Sequence, residues 1–341
     1  MISTTHPPID YKDWQKFMRK QILLALSAIL MIACTQQDTP TKMWEHATDG
    51  ALAADIAQDG SLALVSSSFH DIILWDLDDN SQKHRWAQGD ENLVLFTSLS
   101  PNNKYAVTAE KDSFAVWDVE SGKSLTYTKL RESNIRDIVI SNDGDVLYGK
   151  VNGVVVHVNI FSGRRIEFLG HSEKINSVAL SPNGRYALTG GSDYVALFWD
   201  TKTAQVIHRF IHPSRITKVA LDPQGRFAFS AGSQRQSSIW DLKSGKEISR
   251  LQYQSRSRVF SAVRFSNDGS ELFTGSPGRL LNRWDVSTGQ QLEQWTITPR
   301  KDSRPVSSVI FAISESKSGT IITESSSGYA EFWTPTPSQP Q

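Results

Sequence analysis

Residues 169–200 read LGHSEKINSVALSPNGRYALTGGSDYVALFWD. Gly170-His171 opens this stretch and Trp199-Asp200 closes it. Between them lie three runs of alternating apolar character, 175–180, 186–189 and 195–199. Ser181-Pro182-Asn183-Gly184 separates the first two runs, and Gly190-Gly191-Ser192-Asp193 separates the last two. Short β-prone runs split by Pro, Asn and Gly turns are hairpin-linked antiparallel strands. A lone meander of this size is barely stable and leaves both faces open. It needs copies of itself to pack against.

The chain supplies them. The closing Trp recurs at Trp75, Trp117, Trp199, Trp240, Trp284 and Trp333, and Val158-Asn159 falls at the middle of the one double gap. Subtracting positions gives steps of 42, 41, 41, 41, 44 and 49 residues. Asp follows the Trp at Asp76, Asp118, Asp200, Asp241 and Asp285, and Thr334 replaces it in the last copy. A turn like 181–184 precedes each: 57–60, 100–103, 141–144, 222–225, 266–269 and a longer 314–319. Period, turn chemistry and Trp-Asp together resemble the WD-repeat family of β-propellers, whose ~40-residue repeat forms one four-stranded blade. The resemblance covers about residues 43 to 333. It implies an all-β fold, a seven-bladed propeller of four-stranded antiparallel blades over residues 42–334.

The chain has 341 residues, 39% hydrophobic and 21% charged, with formal net charge zero. That suits one large repeat domain, which escapes the usual size limit on a single core. Zero net charge argues against a general nucleic-acid binder, so none is expected as a partner. The single cysteine forbids an intramolecular disulfide.

That cysteine follows a leader. Arg19-Lys20 precede an apolar run, 22–33, broken only by Ser27; Cys34 and the polar Thr35-Gln36-Gln37-Asp38 come next. A basic segment, a short apolar segment and a small residue at the cut describe a secretory signal, over residues 1–33. The run is shorter than the ~20 apolar residues of a membrane-spanning helix. Met31-Ile32-Ala33-Cys34 resembles a bacterial lipobox, with Met31 where Leu is usual. The resemblance implies cleavage before Cys34 and lipidation of its sulfur, the best nucleophile available for such a donor. Thr35 in place of Asp implies sorting to the outer membrane, on its periplasmic side, rather than retention at the inner one. The polar residues 1–17 are long for such a leader and read as a misassigned start, since Met18-Arg19-Lys20 makes a more ordinary beginning. Residues 34–41 are expected to form the lipidated tether, and 335–341 a disordered tail.

Met43-Trp44-Glu45-His46 is a strand without partners of its own. It resembles the fourth, outer strands at Arg85-Trp86, Glu167-Phe168 and Arg209-Phe210. The last repeat lacks that strand, so 43–46 is expected to pair with 330–333 and close the ring, removing an edge that would invite aggregation.

The family's stabilising network joins the His of Gly-His, a hydroxyl on the second strand, an Asp in the next turn and the Trp. The fourth repeat has His171, Thr189, Asp193 and Trp199. The expected relay runs from indole N–H to hydroxyl, hydroxyl to imidazole and imidazole to carboxylate. The fifth keeps His212, Ser230 and Trp240, with Gln234 where Asp belongs; the second has Thr108, Asp112 and Trp117, with Asp90 near the His position. The first, third, sixth and seventh lack the set, so they are expected to be the softer blades.

A catalytic reading of His171, Thr189 and Asp193 yields to the structural one, because the hydroxyl would be buried between strands. His208 and His212 flank an outer strand, where residues four apart lie roughly 13 Å apart, too far to share a metal. No P-loop, nucleophile elbow or zinc spacing occurs, so no cofactor, metal or catalytic set is expected. The channel positions of the first strands are read as Ala53, Ser177, Ala262 and Ser308, with Asp137 and Lys218 as charged exceptions. On the rim, repeats five to seven carry Arg215, Arg235, Arg256, Arg258, Arg279, Arg300, Lys301 and Arg304, and repeats one and two carry Asp49, Asp71, Asp90, Glu91, Glu110 and Asp112. Arg215, Arg235, Arg256, Arg258, Arg279 and Arg304 are therefore the candidate partner-binding residues, suited to bidentate contact with an acidic surface. The expected function is a non-catalytic scaffold, a monomeric propeller within a complex, that binds an envelope protein at a bacterial outer membrane. The alternative is a hydrolase or lyase acting on a glycan in the central channel.

Overall fold

The structure is a computed structural model that describes residues 39–336, except 70, 90–92, 132–133, 235, 254–258 and 302–305. The leader, Cys34 with most of its tether, and the end of the tail lie outside the described residues.

Among the described residues twenty-eight strands form seven four-stranded antiparallel sheets, six of them meanders in chain order and the seventh completed by the N-terminal strand. The blades span residues 51–86, 96–129, 135–168, 175–211, 216–250, 262–296 and 310–333. The period-two pattern of each strand meets a tight turn that needs left-handed backbone. Gly184 takes that conformation (φ +67°), and a Cβ there would meet the Asp145 carboxylate of the preceding blade at 2.1 Å. Gly190 has a different reason: a Cβ on it would stand 2.4 Å from Ile216 of the next blade.

The core is divided among the blade junctions. At the junction of blades three and four, Leu147, Val155 and Phe168 pack on Ile175, Leu197 and Trp199. At the junction of seven and one, Ile322, Ala330 and Phe332 meet Val65, Ile73 and Trp75. Trp199, Trp284 and Trp333 are essentially fully buried. Each contributes roughly 4 kcal/mol of hydrophobic stabilisation relative to an exposed ring.

The ring closes with the strand Lys42–Glu45, which pairs antiparallel with the third strand of blade seven. The register sets Lys42 opposite Phe332 and Glu45 opposite Tyr329. The expected pairing was 43–46 with 330–333; both segments begin one residue earlier, so Met43 faces Glu331 instead of Trp333. His46 has turned out of the strand: its ring stacks on Trp75 at 4.4 Å and its Nδ1 lies 2.5 Å from Glu324.

Five of the seven first strands carry a register shift, as between Ile175 and Ser177 or Ile310 and Ala312. These bulges select the side chain sent into the channel. They correct one expected position. Ala312, opposite Glu324, is the seventh-blade equivalent of Ser177 opposite Gly190. Ser308 lies before the strand, bonded through its hydroxyl to Ser327, because the loop entering blade seven is longer than the others.

Candidate protein-binding face and central channel

His171, Thr189, Asp193 and Trp199 come together at the junction of blades three and four. His171 Nδ1 is 2.9 Å from Asp193 Oδ2, and Nε2 is 2.9 Å from Thr189 Oγ1. A carboxylate only accepts, so Nδ1–H donates to Asp193 and Nε2 accepts from the Thr189 hydroxyl. Burial opposes ionisation of Asp193, but the bonds from His171 and the Ser172 N–H outweigh it and hold the carboxyl below its usual range.

The first link of the expected relay is not made. Among the described residues Trp199 Nε1 has no hydrogen-bond partner. The ring lies flat on Phe168, with centroids 4.2 Å apart and planes within 3°, a stack that fixes its plane. In blade five the equivalent ring is tilted 20° from Phe210, and Trp240 Nε1 donates to Ser230 Oγ at 2.8 Å. Ser230 bonds His212 Nε2 at 2.8 Å, and the chain stops there, because His212 Nδ1 has no partner where Gln234 replaces Asp. Burial pushes the His212 pKa down to about 4.

Other blades hold more of this network than their residues suggested. Trp117 donates to Thr108 at 2.8 Å, Trp284 to Thr274 at 2.8 Å and Trp333 to Thr323 at 3.1 Å. In blade two Thr108 passes its own proton to Gln88, which takes the place assigned to Asp90. Asp90 itself lies outside the described residues. The signal for Thr274 and Thr323 was present: both stand ten residues before their Trp, as Thr189 and Ser230 do. Blade one has Val65 at that place, and Trp75 Nε1 has no partner.

The central channel encloses about 240 Å³, lined by the first strands. Asp137 and Lys218 line it as expected positions, and Asp55 and Arg264 add two charges that the sequence reading missed. All three of the acidic and guanidinium groups are engaged between blades. Asp55 Oδ1 receives Arg264 Nη2 at 2.8 Å, and its Oδ2 receives the Leu99 N–H at 2.8 Å. Arg264 also donates to the Ile56 carbonyl. Asp137 Oδ2 accepts from the Val178 N–H at 2.9 Å. Burial pushes the Asp55 pKa up, and Arg264 only partly offsets it. Asp55 and Asp137 tie the inner strands of adjacent blades together, and Arg264 reaches from blade six past blade seven to blade one. His208 and His212 serve separate partners, the Leu242 carbonyl and Ser230.

Because strands alternate in direction, the loops between blades and those joining second to third strands share one rim. Arg215 is exposed there. Arg279 is half-buried, in a left-handed conformation (φ 69°), and its Nε donates to the Ile297 carbonyl. Arg300 donates to the Asp49 carbonyl, so a member of the basic arc is bonded to a member of the acidic one. Arg235, Arg256, Arg258 and Arg304, like Asp90 and Glu91, lie outside the described residues. The sequence reading missed the apolar content of this rim. Leu169, Tyr194 and Ile211 are 73%, 51% and 68% exposed. Ile211 pairs with Val195, and the Tyr194 carbonyl accepts the His212 N–H, so Tyr194 and Ile211 are neighbours. Tyr194 holds φ 70°, an uncommon conformation for a bulky residue and a strained one.

Residues 163–200 match the family model described as WD domain, G-beta repeat. Autophagy-related protein 16 from Arabidopsis thaliana is 27% identical over 50% of this chain and 36% of its own length. WD repeat-containing protein SL1-17 from Schistosoma mansoni is 25% identical over 46% of this chain and 53% of its own. An uncharacterized WD repeat-containing protein, sll1491 from Synechocystis, is 25% identical over 35% of each chain. The chain thus spans about a third to a half of the length of these three relatives. With its fourth blade matching the repeat model and its sheets closed into a ring, the chain is a seven-bladed propeller similar to WD-repeat proteins.

Proposed function

We propose that the protein is a non-catalytic scaffold that binds another protein through the rim of blades four and five. It works at the periplasmic face of a bacterial outer membrane, anchored by lipid on Cys34. The observation that carries the binding reading is the rim patch itself. Leu169, Tyr194 and Ile211 are exposed on the same rim as the exposed Arg215, a mix of aromatic, aliphatic and arginine side chains enriched at interfaces. A strained Tyr194 that is not buried contributes little to the fold and is better accounted for by contact with a partner. The channel supports the non-catalytic reading, since Asp55, Asp137 and Arg264 are committed to bonds between blades. The membrane and the envelope partner rest on the sequence of residues 18–38.

Two measurements test this in separate parts. In-cell crosslinking followed by mass spectrometry is expected to recover a partner with the parent protein and lose it with Tyr194→Ala plus Arg215→Glu, while circular dichroism stays unchanged. Recovery of the same partner by the folded double variant returns the patch to ordinary surface. Metabolic labelling with palmitate is expected to mark the parent and spare Cys34→Ala. Label on that variant rejects the anchor without touching the binding claim.

A further inference from the structure

The opposite rim, built from the turns between first and second strands and between third and fourth, contains one open junction. Around the ring these turns are bonded to their neighbours. Asn103 reaches Asp59, the Asn102 N–H reaches Asn142, and the Asn142 N–H reaches the Pro182 carbonyl. Gln224 reaches the Asn267 carbonyl, the Asn267 N–H reaches Glu315, and Ser314 reaches the Ala57 carbonyl. Among the described residues, blades four and five are joined at this rim by His208 and the Leu242 carbonyl, and no bond links their turns between first and second strands. A cleft of about 520 Å³ lies there instead. Pro182, Tyr186 and Phe198 line it from blade four, and Leu221, Pro223 and Leu242 from blade five.

The molecule shows what fits such a place. At the junction of blades two and three, the residue equivalent to Tyr186 is Tyr105: each opens its second strand opposite the Asp that follows the Trp. Phe161 packs on Tyr105 there, with centroids 5.6 Å apart. A Cβ built on Gly144 would meet the Phe161 ring at 2.6 Å, so the aromatic ring fills the space over that turn. Phe161 is the second residue of a turn in which the Ser162 N–H donates to Asn159; Lys243 holds the same place in a turn where the Ser244 N–H donates to Asp241. With Lys243 in place of Phe161, nothing stands within 4 Å of a Cβ on Gly225. Charge adds a second condition. Asp222 in the lining is taken up by Arg226 at 2.9 Å, and the exposed Lys243 is the cation the cleft presents.

We infer that the cleft between blades four and five is a docking site for an aromatic side chain of a partner polypeptide, next to an acidic residue that meets Lys243. The site lies on the face away from the Leu169–Tyr194 patch and does not depend on that patch being an interface.

The test uses the full-length protein and two fluorescein-labelled peptides, Asp-Glu-Phe-Asp-Gly and Asp-Glu-Ala-Asp-Gly, followed by fluorescence anisotropy. Burying one aromatic ring predicts binding of the Phe peptide about tenfold or more tighter than the Ala peptide. Lys243→Phe, which rebuilds the arrangement of blades two and three, is expected to abolish that difference and raise the melting temperature. Lys243→Gln should keep the preference for Phe while weakening both peptides. Equal binding of the two peptides, no saturable binding of either, or a preference that survives Lys243→Phe overturns the proposal. Sedimentation velocity covers the remaining occupant: a concentration-dependent dimer lost in Lys243→Phe assigns the cleft to a second copy of this chain and rejects a peptide partner.

Discussion

At the scale of single residues, the two best-equipped blades complete different halves of the same chain of bonds. Blade four runs from Thr189 through His171 to Asp193 and leaves the Trp199 N–H out. Blade five runs from Trp240 through Ser230 to His212 and lacks the final acceptor. Removing the imidazole at position 171 strands a buried hydroxyl and a half-buried carboxylate, so His171→Ala should cost about 1–3 kcal/mol in urea unfolding. A second comparison isolates the indole bond. Both rings stack on a Phe, but only Trp240 donates a hydrogen bond. Trp240→Phe should therefore cost about 1 kcal/mol more than Trp199→Phe from its hydrogen bond alone. Equal losses mean that the stacks, not the bonds, set the difference between these blades. The residue types of the network were legible in the sequence because a hydroxyl ten residues before Trp is a positional signal. Whether the indole reaches that hydroxyl was not, because it depends on the tilt of a ring against its stacking partner.

At the scale of elements, the closing strand joins the two ends of the chain, because it comes from before the first blade and pairs with the last. Lys42–Glu45 pairs only with Tyr329–Phe332, while Trp44 meets Phe332 edge-on at 5.0 Å. Deleting residues 42–46 removes that contact and His46, and exposes the edge of the last blade. The cost should be on the order of 2 kcal/mol or more, about 4 °C at this size, with concentration-dependent aggregation. Scanning fluorimetry with light scattering checks both parts; a variant that melts unchanged and stays monomeric removes closure from the account of stability. Blade count, strand order and the closing strand were all readable, since period and turn chemistry dictate them. The register of that strand was not, since Met43 faces Glu331 where the expected pairing set it opposite Trp333, while His46 beyond the strand meets the Glu324 carboxylate and the Trp75 face. Nor was the channel lining fully readable. Asp55 and Arg264 sit two residues further along their strands than Ala53 and Ala262, on the same face, and also reach the channel.

At the scale of the whole molecule, two buried groups in different blades bend stability with pH in opposite directions. Burial pushes the Glu331 pKa up to about 7 despite the Thr298 N–H, and Glu324 nearby adds to the rise. A carboxyl whose folded pKa is raised binds its proton more tightly folded than unfolded. Its contribution is complete below the unfolded value near 4.5 and is lost as pH rises through about 7. His212 has its pKa depressed to about 4, so its contribution is complete above the unfolded value near 6.5 and is lost as pH falls toward 4. Between those limits the two slopes oppose each other, which flattens the profile in mildly acidic solution. Above it only the Glu331 loss continues, and it falls on the ring closure, because Glu331 lies opposite Met43 of the closing strand. Glu331→Gln keeps the shape and removes the titration. Measured against the parent by urea unfolding, the variant should gain about 3 kcal/mol in relative stability between about pH 4.5 and about pH 8. Groups that do not interact with Glu331 cancel in that difference. A difference that stays constant across the range means that Glu331 ionises in the fold as it does in water, and that the closing strand does not carry a pH-dependent load.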